Sequence, residues 1–404
     1  RSFFVRIRRW LSFMNEPSNY TGPAFLSYGF RPFFLSAACF AGIAVPTWII
    51  IHSGGVGVAW HHVSRYWHIH EMVFGFLPGV IAGFLLTAMP NWTERPPVRG
   101  WPLLGLLLLW LAGRIAMAIP TFSPLGAAIV DGAFLVVLAV LVWREIANGK
   151  TWDRAPIGIL ISLYAVGNLL FHAQFLSGAP TNVAERLALA LLMVLLALIG
   201  GRITPGFTED FLEEARLCHR PAAFGLLDGI PILLLIFGGL WWVIQPESLV
   251  TGWIFVGAGV MHLVRMLRWY GWLTWREPLV LILHLGYAWL AMSMLAIGAA
   301  ILGVRLHPEE AIHALTTGAV GAMTLAVMTR ASLGHTGRPK HAGALTILIY
   351  LLVNLVAFLR VFGPSLHVPG AIMLGLAAAA WSGAYILFAF GYGPMLFAKS
   401  LDEE

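Results

Sequence analysis

The chain has 404 residues, of which 59% are hydrophobic and 11% charged, and its mean hydropathy is +0.81. Soluble domains are typically about 45–50% apolar and about 25% charged, so this composition excludes a water-soluble globule and makes lipid or a helix-bundle interior the solvent for most side chains. Only two cysteines, Cys39 and Cys218, are present, which excludes a disulfide framework and a thiolate metal site, and the net charge of +6 is spread over short loops, so no nucleic-acid partner is expected.

In chain order, residues 1–20, with Arg1, Arg6, Arg8, Arg9 and Trp10, read as an amphipathic segment lying on an anionic membrane surface. No cleavable signal peptide is expected there. Residues 21–404 read as a single all-α polytopic membrane domain. A transmembrane helix needs roughly 20 apolar residues. Breaks at Pro, Gly and charge then delimit twelve spans near 30–51, 70–90, 101–119, 124–146, 156–177, 184–203, 224–243, 251–269, 278–302, 310–332, 342–362 and 370–397. Alternating-polarity barrel strands are absent from the pattern, and backbone in lipid must pair internally, so the spans are helices. The basic residues are strongly biased. Arg65, Arg186, Arg305 and Arg360 fall on one face, Arg114 falls inside span three, and the remaining twenty of the 25 Lys and Arg fall on the other face. The positive-inside rule then predicts that both termini are cytoplasmic.

Spans two and ten share a frame at an offset of 243: His70 and Gly75 align with His313 and Gly318, and Thr93, Arg95 and Pro96 with Thr336, Arg338 and Pro339. In span six, Pro205 and Thr208 match Pro90 and Thr93. Pro32, Pro156 and Pro278 open spans one, five and nine. The pattern suggests three parallel four-helix units over 28–147, 155–270 and 277–398.

Fourteen histidines sort by depth on this topology. His52, His61, His62, His68, His70, His172, His307, His313 and His367 fall at or near the outer face. His262, His284, His335 and His341 fall towards the inner face, and His219 lies in a long loop. Neutral imidazole is the commonest metal ligand and suits iron and copper. An ionisable side chain inside a membrane is costly and points to function by default. His68 and His70 are two apart and point about 200° apart on a helix, which favours two separate sites. An interfacial Trp/His belt is the alternative for this pair and the favoured reading for His52, His61, His62, His307 and His367. His70 and His313, at equal depth on parallel helices, have the placement of a bis-His haem clamp, with His172 joining as a ligand of a second metal. The stripe of Thr317, Thr324 and Met328 below His313 reads as helix packing. On the inner side, His262 and His284 lie near Arg265 and Arg268, which would hold haem propionates or lipid headgroups. Arg202 and Arg330, equally spaced from Thr208 and Thr336, join them as expected anion-binding residues. His335, in the turn Gly334–Pro339, is either a ligand or a turn cap.

Several motifs together resemble the NnrS family of bacterial inner-membrane proteins. They are Tyr28-Gly-Phe-Arg-Pro-Phe33, Trp67-His-Ile-His-Glu-Met72, Thr87-Ala-Met-Pro-Asn-Trp92, Gly200-Gly-Arg-Ile-Thr-Pro205, Met261-His262, His284-Leu-Gly-Tyr-Ala-Trp289, His313-Ala-Leu-Thr-Thr-Gly318 and Leu333-Gly-His-Thr-Gly-Arg-Pro339. The resemblance implies a multi-pass protein of the bacterial inner membrane that contains b-type haem and copper and is linked to nitric oxide and nitrosative stress. Carried over by position, the family histidines are His68, His70, His172, His262, His284, His313 and His335. An acidic loop at Glu209–Glu214 is the one departure from the pattern. The architecture also resembles the core subunit of haem-copper oxidases and nitric oxide reductases. Two departures from that architecture are that span six has no histidine and that the His-x-His pair lies on span two.

Three functions follow. The first is a haem-copper-type oxidoreductase that reduces or detoxifies nitric oxide near the periplasmic face, with Glu71 delivering protons or orienting a ligand and with electrons from a quinol or redox protein. The second is a sensor or carrier that binds nitric oxide or another diatomic ligand, haem or copper without turnover. The third is a transporter, favoured by the repeats and the embedded Arg114.

Overall fold

The computed structural model describes residues 20–54, 65–119, 121–304, 306–367 and 369–401. The expected interfacial segment falls almost wholly outside them, as do His61, His62 and Arg305. Among the described residues the chain is all-helical without strands, and twelve helices are long and apolar enough to cross a membrane. They are α1 (Phe30–His52), α2 (Arg65–Thr93), α3 (Trp101–Ala118), α4 (Pro124–Gly149), α5 (Ala155–Leu176), α6 (Asn182–Glu214), α7 (Leu226–Ile244), α8 (Leu249–Leu267), α9 (Pro278–Ile301), α10 (Pro308–Gly334), α11 (Ala344–Phe362) and α12 (Gly370–Phe397). The chain is a multi-pass membrane protein.

Prolines in the first turn start α3, α4, α5, α9 and α10, where the missing N–H would have no intrahelical partner anyway. Ser123 adds a side-chain cap to Gly126 N–H, and Glu277 adds one to Leu279 N–H. The sequence boundaries differ most at α6. Residues 209–214, expected to be an acidic loop, instead form the last turns of a helix that runs to Glu214. Apolarity stops where the helix leaves lipid, but the backbone hydrogen bonds do not. Leu217 N–H closes onto Leu212 C=O, and Arg216 adopts the left-handed conformation common just past a helix end.

Each helix packs mainly on its sequence neighbours, while α1 lies along α12 and so brings the first and last spans together. Arg31 fixes this seam by donating to the Leu396 and Ala398 carbonyls at the end of α12 (3.0 and 2.6 Å). Further along it, Trp381 Nε1 donates to Ala41 C=O and Ser382 Oγ to Gly42 C=O. The most enclosed spans are α2 and α10, with 83% and 72% of their apolar windows buried, so these two form the centre of the bundle.

Both central helices contain a π-helical segment, Glu71–Phe76 in α2 and Ala314–Val320 in α10. The two begin 243 residues apart, the offset at which His70 and His313 align in sequence. A π turn strands backbone carbonyls, which in lipid must find partners. In α2 other spans supply them: Tyr164 OH donates to Val73 C=O, and Trp110 Nε1 donates to Gly75 C=O (2.9 Å). In α10 the helix supplies its own, through Thr316 Oγ1 to Ile312 C=O and Thr317 Oγ1 to His313 C=O.

Candidate metal centre

The π turn of α2 rotates His70 and Glu71 into a fully buried niche walled by α3, α4 and α5. His70 Nδ1 lies 2.9 Å from Glu71 Oε1, and His70 Nε2 lies 3.1 Å from Asn168 Oδ1 and 3.2 Å from Asp131 Oδ2. His172 Nε2 meets the same Asp131 Oδ2 at 2.8 Å, and Asn168 Nδ2 donates to it at 2.8 Å. Arg114 closes the circuit, donating through Nη1 to Glu71 Oε2 (2.6 Å) and through Nη2 to Asp131 Oδ1. Two glycines make room. A Cβ on Gly75 would collide with the Arg114 guanidinium, and Gly113 lets the Asp131 backbone approach α3. Phe74 and Phe171 flank the His70 ring, with centroids at 5.6 and 5.2 Å, and keep the niche apolar around its polar core.

Two carboxylates here face a single guanidinium, so the niche holds one surplus negative charge, which a membrane interior does not tolerate unpaired. Both ring nitrogens of His70 face acceptor oxygens, so one extra cation is built into the geometry: a second proton on the imidazole, or a metal ion at Nε2. The donor atoms of His70, Asp131 and His172 lie within 4.8 Å of one another and are all buried, the only such group among the described residues. Two imidazoles and one carboxylate suit iron, copper or zinc and leave coordination positions open. Glu71 on His70 Nδ1, with Arg114 behind it, is the outer support that metal-binding histidines usually have. A metal ion fits.

The remaining sequence-flagged residues fall elsewhere. His68, on the other face of α2, stacks on Trp48 of α1 (4.1 Å), and its electrostatic neighbours include His313, Arg360 and Arg65. His313 Nδ1 bonds Glu309 C=O (2.6 Å), and its Nε2 faces Arg360 Nη2 (3.1 Å). The structure therefore groups His313 with His68 rather than with His70. His70 and His313 lie in separate hydrogen-bond networks, His70 with Glu71, Asn168 and Asp131 and His313 with Glu309 and Arg360, so this packing does not bring the two together as a clamp.

Towards the other end, Arg265 donates to Asp228 Oδ1 (2.9 Å), Ala197 C=O, Gly201 C=O and Tyr287 OH (2.6 Å). Arg268 donates to Asp228 Oδ2 and Ala223 C=O. A guanidinium has five N–H donors, so Arg265 keeps at most one for a propionate. His262 Nδ1 pairs with Tyr287 OH (2.8 Å) and His284 Nε2 with Thr208 Oγ1 (2.8 Å), while His262 Nε2 and His284 Nδ1 are buried without a hydrogen-bond partner. Such open nitrogens suit coordination, but a Cβ on Gly271 would lie 2.5 Å from His284 Nδ1, so no macrocycle can lie on that side of the ring. Arg202 is exposed on α6, Arg330 lies over the Phe207 ring (3.9 Å), and His335 packs against Phe30 (5.5 Å) and Tyr28 (6.3 Å). The burial of His335, just past α10, pushes its pKa down to about 4.

The niche includes residues that the histidine-led reading left out: Asp131, Asn168 and Tyr164. Asp131 is the sole ionisable residue in the apolar run 124–143, the same signal that singled out Arg114.

The family model described as NnrS protein matches residues 24–400, nearly the whole chain. The chain belongs to the NnrS family. No curated protein matches it. In this NnrS-family chain the matched stretch contains every residue of the niche, with α2 through α5 contributing all of them.

Proposed function

We propose that this protein handles nitric oxide at a metal ion held by His70, Asp131 and His172, near the face that the positive-inside bias assigns to the periplasm. One observation carries the reading: two imidazoles and a carboxylate converge, buried, on a spot one positive charge short of neutrality. The link to nitric oxide rests on the family resemblance, which also favours copper among the metals the donors accept. When bound, a redox metal offers a coordination position to a diatomic ligand and exchanges electrons with it. The protein's own groups do the rest. Glu71 Oε1 holds the His70 ring by its Nδ1–H, Asn168 turns Asp131 Oδ2 towards the two imidazoles, and Arg114 fixes both carboxylates. Nitric oxide is small and uncharged and can arrive through lipid.

In the catalytic form of this reading, two molecules of nitric oxide take up two electrons and two protons to give one nitrous oxide and one water, with a quinol or redox protein as the electron donor. Glu71 is better placed to orient than to shuttle protons, since His70 and Arg114 occupy both of its oxygens. That occupancy favours the second reading, a sensor or carrier that binds without turnover. The transporter reading loses one of its two supports, because the embedded Arg114 is matched by Glu71 and Asp131. For the haem implied by the resemblance, the open imidazole nitrogens left to a macrocycle are those of His262 and His68.

Optical spectra and gas analysis of the purified, reduced protein with nitric oxide test the proposal. Wild type should bind nitric oxide, and His172→Ala should lose the response. Nitrous oxide production selects the enzyme, and a spectral shift without turnover selects the sensor. An unchanged response in His172→Ala removes the triad from the function.

A further inference from the structure

A second built cavity lies at the opposite, arginine-rich end, between α3 and α4, and is independent of the nitric oxide reading. It measures about 530 Å³. Its polar mouth carries Arg95, Arg99, Arg144 and Glu145, and its apolar wall includes Leu109 and Leu141. Glu145 is buried and fully engaged: Arg95 Nε donates to Oε2 (2.7 Å), and Arg144 Nε and Nη2 donate to Oε1 (3.0 and 2.9 Å). Three guanidiniums against one carboxylate leave the mouth with a surplus of two positive charges.

The groove is open, not merely uneven. A Cβ added to Gly105 on its wall would meet nothing within 4 Å. Gly105 lies about 6 Å below Trp101 along α3, at about 1.5 Å per residue, on the lipid side of the arginine-bearing mouth. Trp101, exposed at 83%, sits beside the mouth as an interfacial anchor. The loop that carries the arginines is stiff: Pro96 and Pro97 restrict it, Gly100 takes a positive φ, and Gly100 N–H bonds Leu26 C=O (2.9 Å).

We infer that this groove binds one anionic phospholipid, its phosphate at Arg95, Arg99 and Arg144 and an acyl chain along the wall past Gly105. Charge complementarity selects this occupant. The chain's own segment 1–19 leads into Tyr20, whose ring packs under Arg99 (5.3 Å), but it carries Arg1, Arg6, Arg8 and Arg9 and is repelled by the same cations. A free phosphate would satisfy the mouth and leave the apolar wall wet.

Native mass spectrometry of the full chain in detergent, offered phosphatidylglycerol, phosphatidylcholine or inorganic phosphate, decides the matter. Wild type should retain one phosphatidylglycerol in clear preference to phosphatidylcholine. Removing one arginine as Arg144→Gln should weaken retention about five-fold, the worth of one surface cation against an anionic lipid. Gly105→Leu, which fills the groove without touching charge, should abolish it. If Gly105→Leu does not fold, Arg144→Gln, a half-exposed side chain, carries the test alone. Equal retention of the two lipids, or no effect of Arg144→Gln, overturns the inference. Displacement of the lipid by millimolar inorganic phosphate assigns the mouth to free phosphate and overturns it too. So does a chain lacking residues 1–19 that takes up lipid the full chain refuses.

Discussion

Near one end of the bundle, one guanidinium, Arg114, holds two carboxylates, Glu71 and Asp131, beside two imidazoles. Near the other, one carboxylate, Asp228, faces two guanidiniums, Arg265 and Arg268, again beside two imidazoles, His262 and His284. The first network is buried and the second is buried except for the half-buried Arg268, and both knit neighbouring spans together. Their charge balance is opposite. The first is short of a cation and invites a proton or metal ion. The second has one cation too many, and Arg265 there serves as a structural pin joining α6, α7, α8 and α9. Histidine count alone does not mark a metal site; the charge around the imidazoles decides.

The comparison can be broken most decisively at its two arginines. Arg114→Leu leaves two buried carboxylates without their cation and should destabilise the protein by about 3–5 kcal/mol, visible as a collapsed yield or a large drop in Tm. Arg265→Leu leaves Asp228 still paired with Arg268, so its cost should be smaller, about 1–3 kcal/mol from unsatisfied oxygens. A reversed order would refute the charge argument. Next comes Gly75→Ala, which pushes Arg114 off the π turn and should cost about 1–3 kcal/mol through overpacking. Gly318→Ala, its counterpart in α10, presses instead on the Trp289 indole and should destabilise similarly while leaving the metal content unchanged.

Smaller effects are set by pH, and two histidines outside the spans should show opposite signs. His335 is half-buried and neutral with its pKa held near 4, so the unfolded chain takes up a proton first as pH falls below about 6.5, and stability drops between there and about 4. His335→Phe should flatten that slope in a Tm-against-pH series. His341, exposed, has its pKa raised by the Glu277 carboxylate 2.8 Å away. Its stabilisation is present below the unfolded value of about 6.5 and lost as pH rises through the folded one. Being exposed, it should be the weakest effect, barely resolved in His341→Ala.

The helical architecture was legible because twelve apolar runs separated by Pro, Gly and charge permit little else in lipid. The end of α6 was not, since the Glu209–Glu214 turns carry no apolar signal yet continue the backbone ladder. Within the niche, the opposed directions of His68 and His70 could be read from a two-residue spacing, and Arg114 announced its need for counter-charges. The pairing of His70 with Asp131 and His172 could not, because it depends on a π turn that re-aims α2 towards α4 and α5. The alignment of His70 with His313 at an offset of 243 was visible, but a shared frame in sequence does not make the two neighbours in space.

Metal content measured by mass spectrometry on purified wild type, Asp131→Asn and His262→Ala tests the central claim most directly. About one equivalent of a non-haem transition metal should be present in wild type, lost in Asp131→Asn and retained in His262→Ala. Non-haem metal that survives Asp131→Asn, or that leaves with His262, would contradict the assignment of the site to the cation-deficient niche.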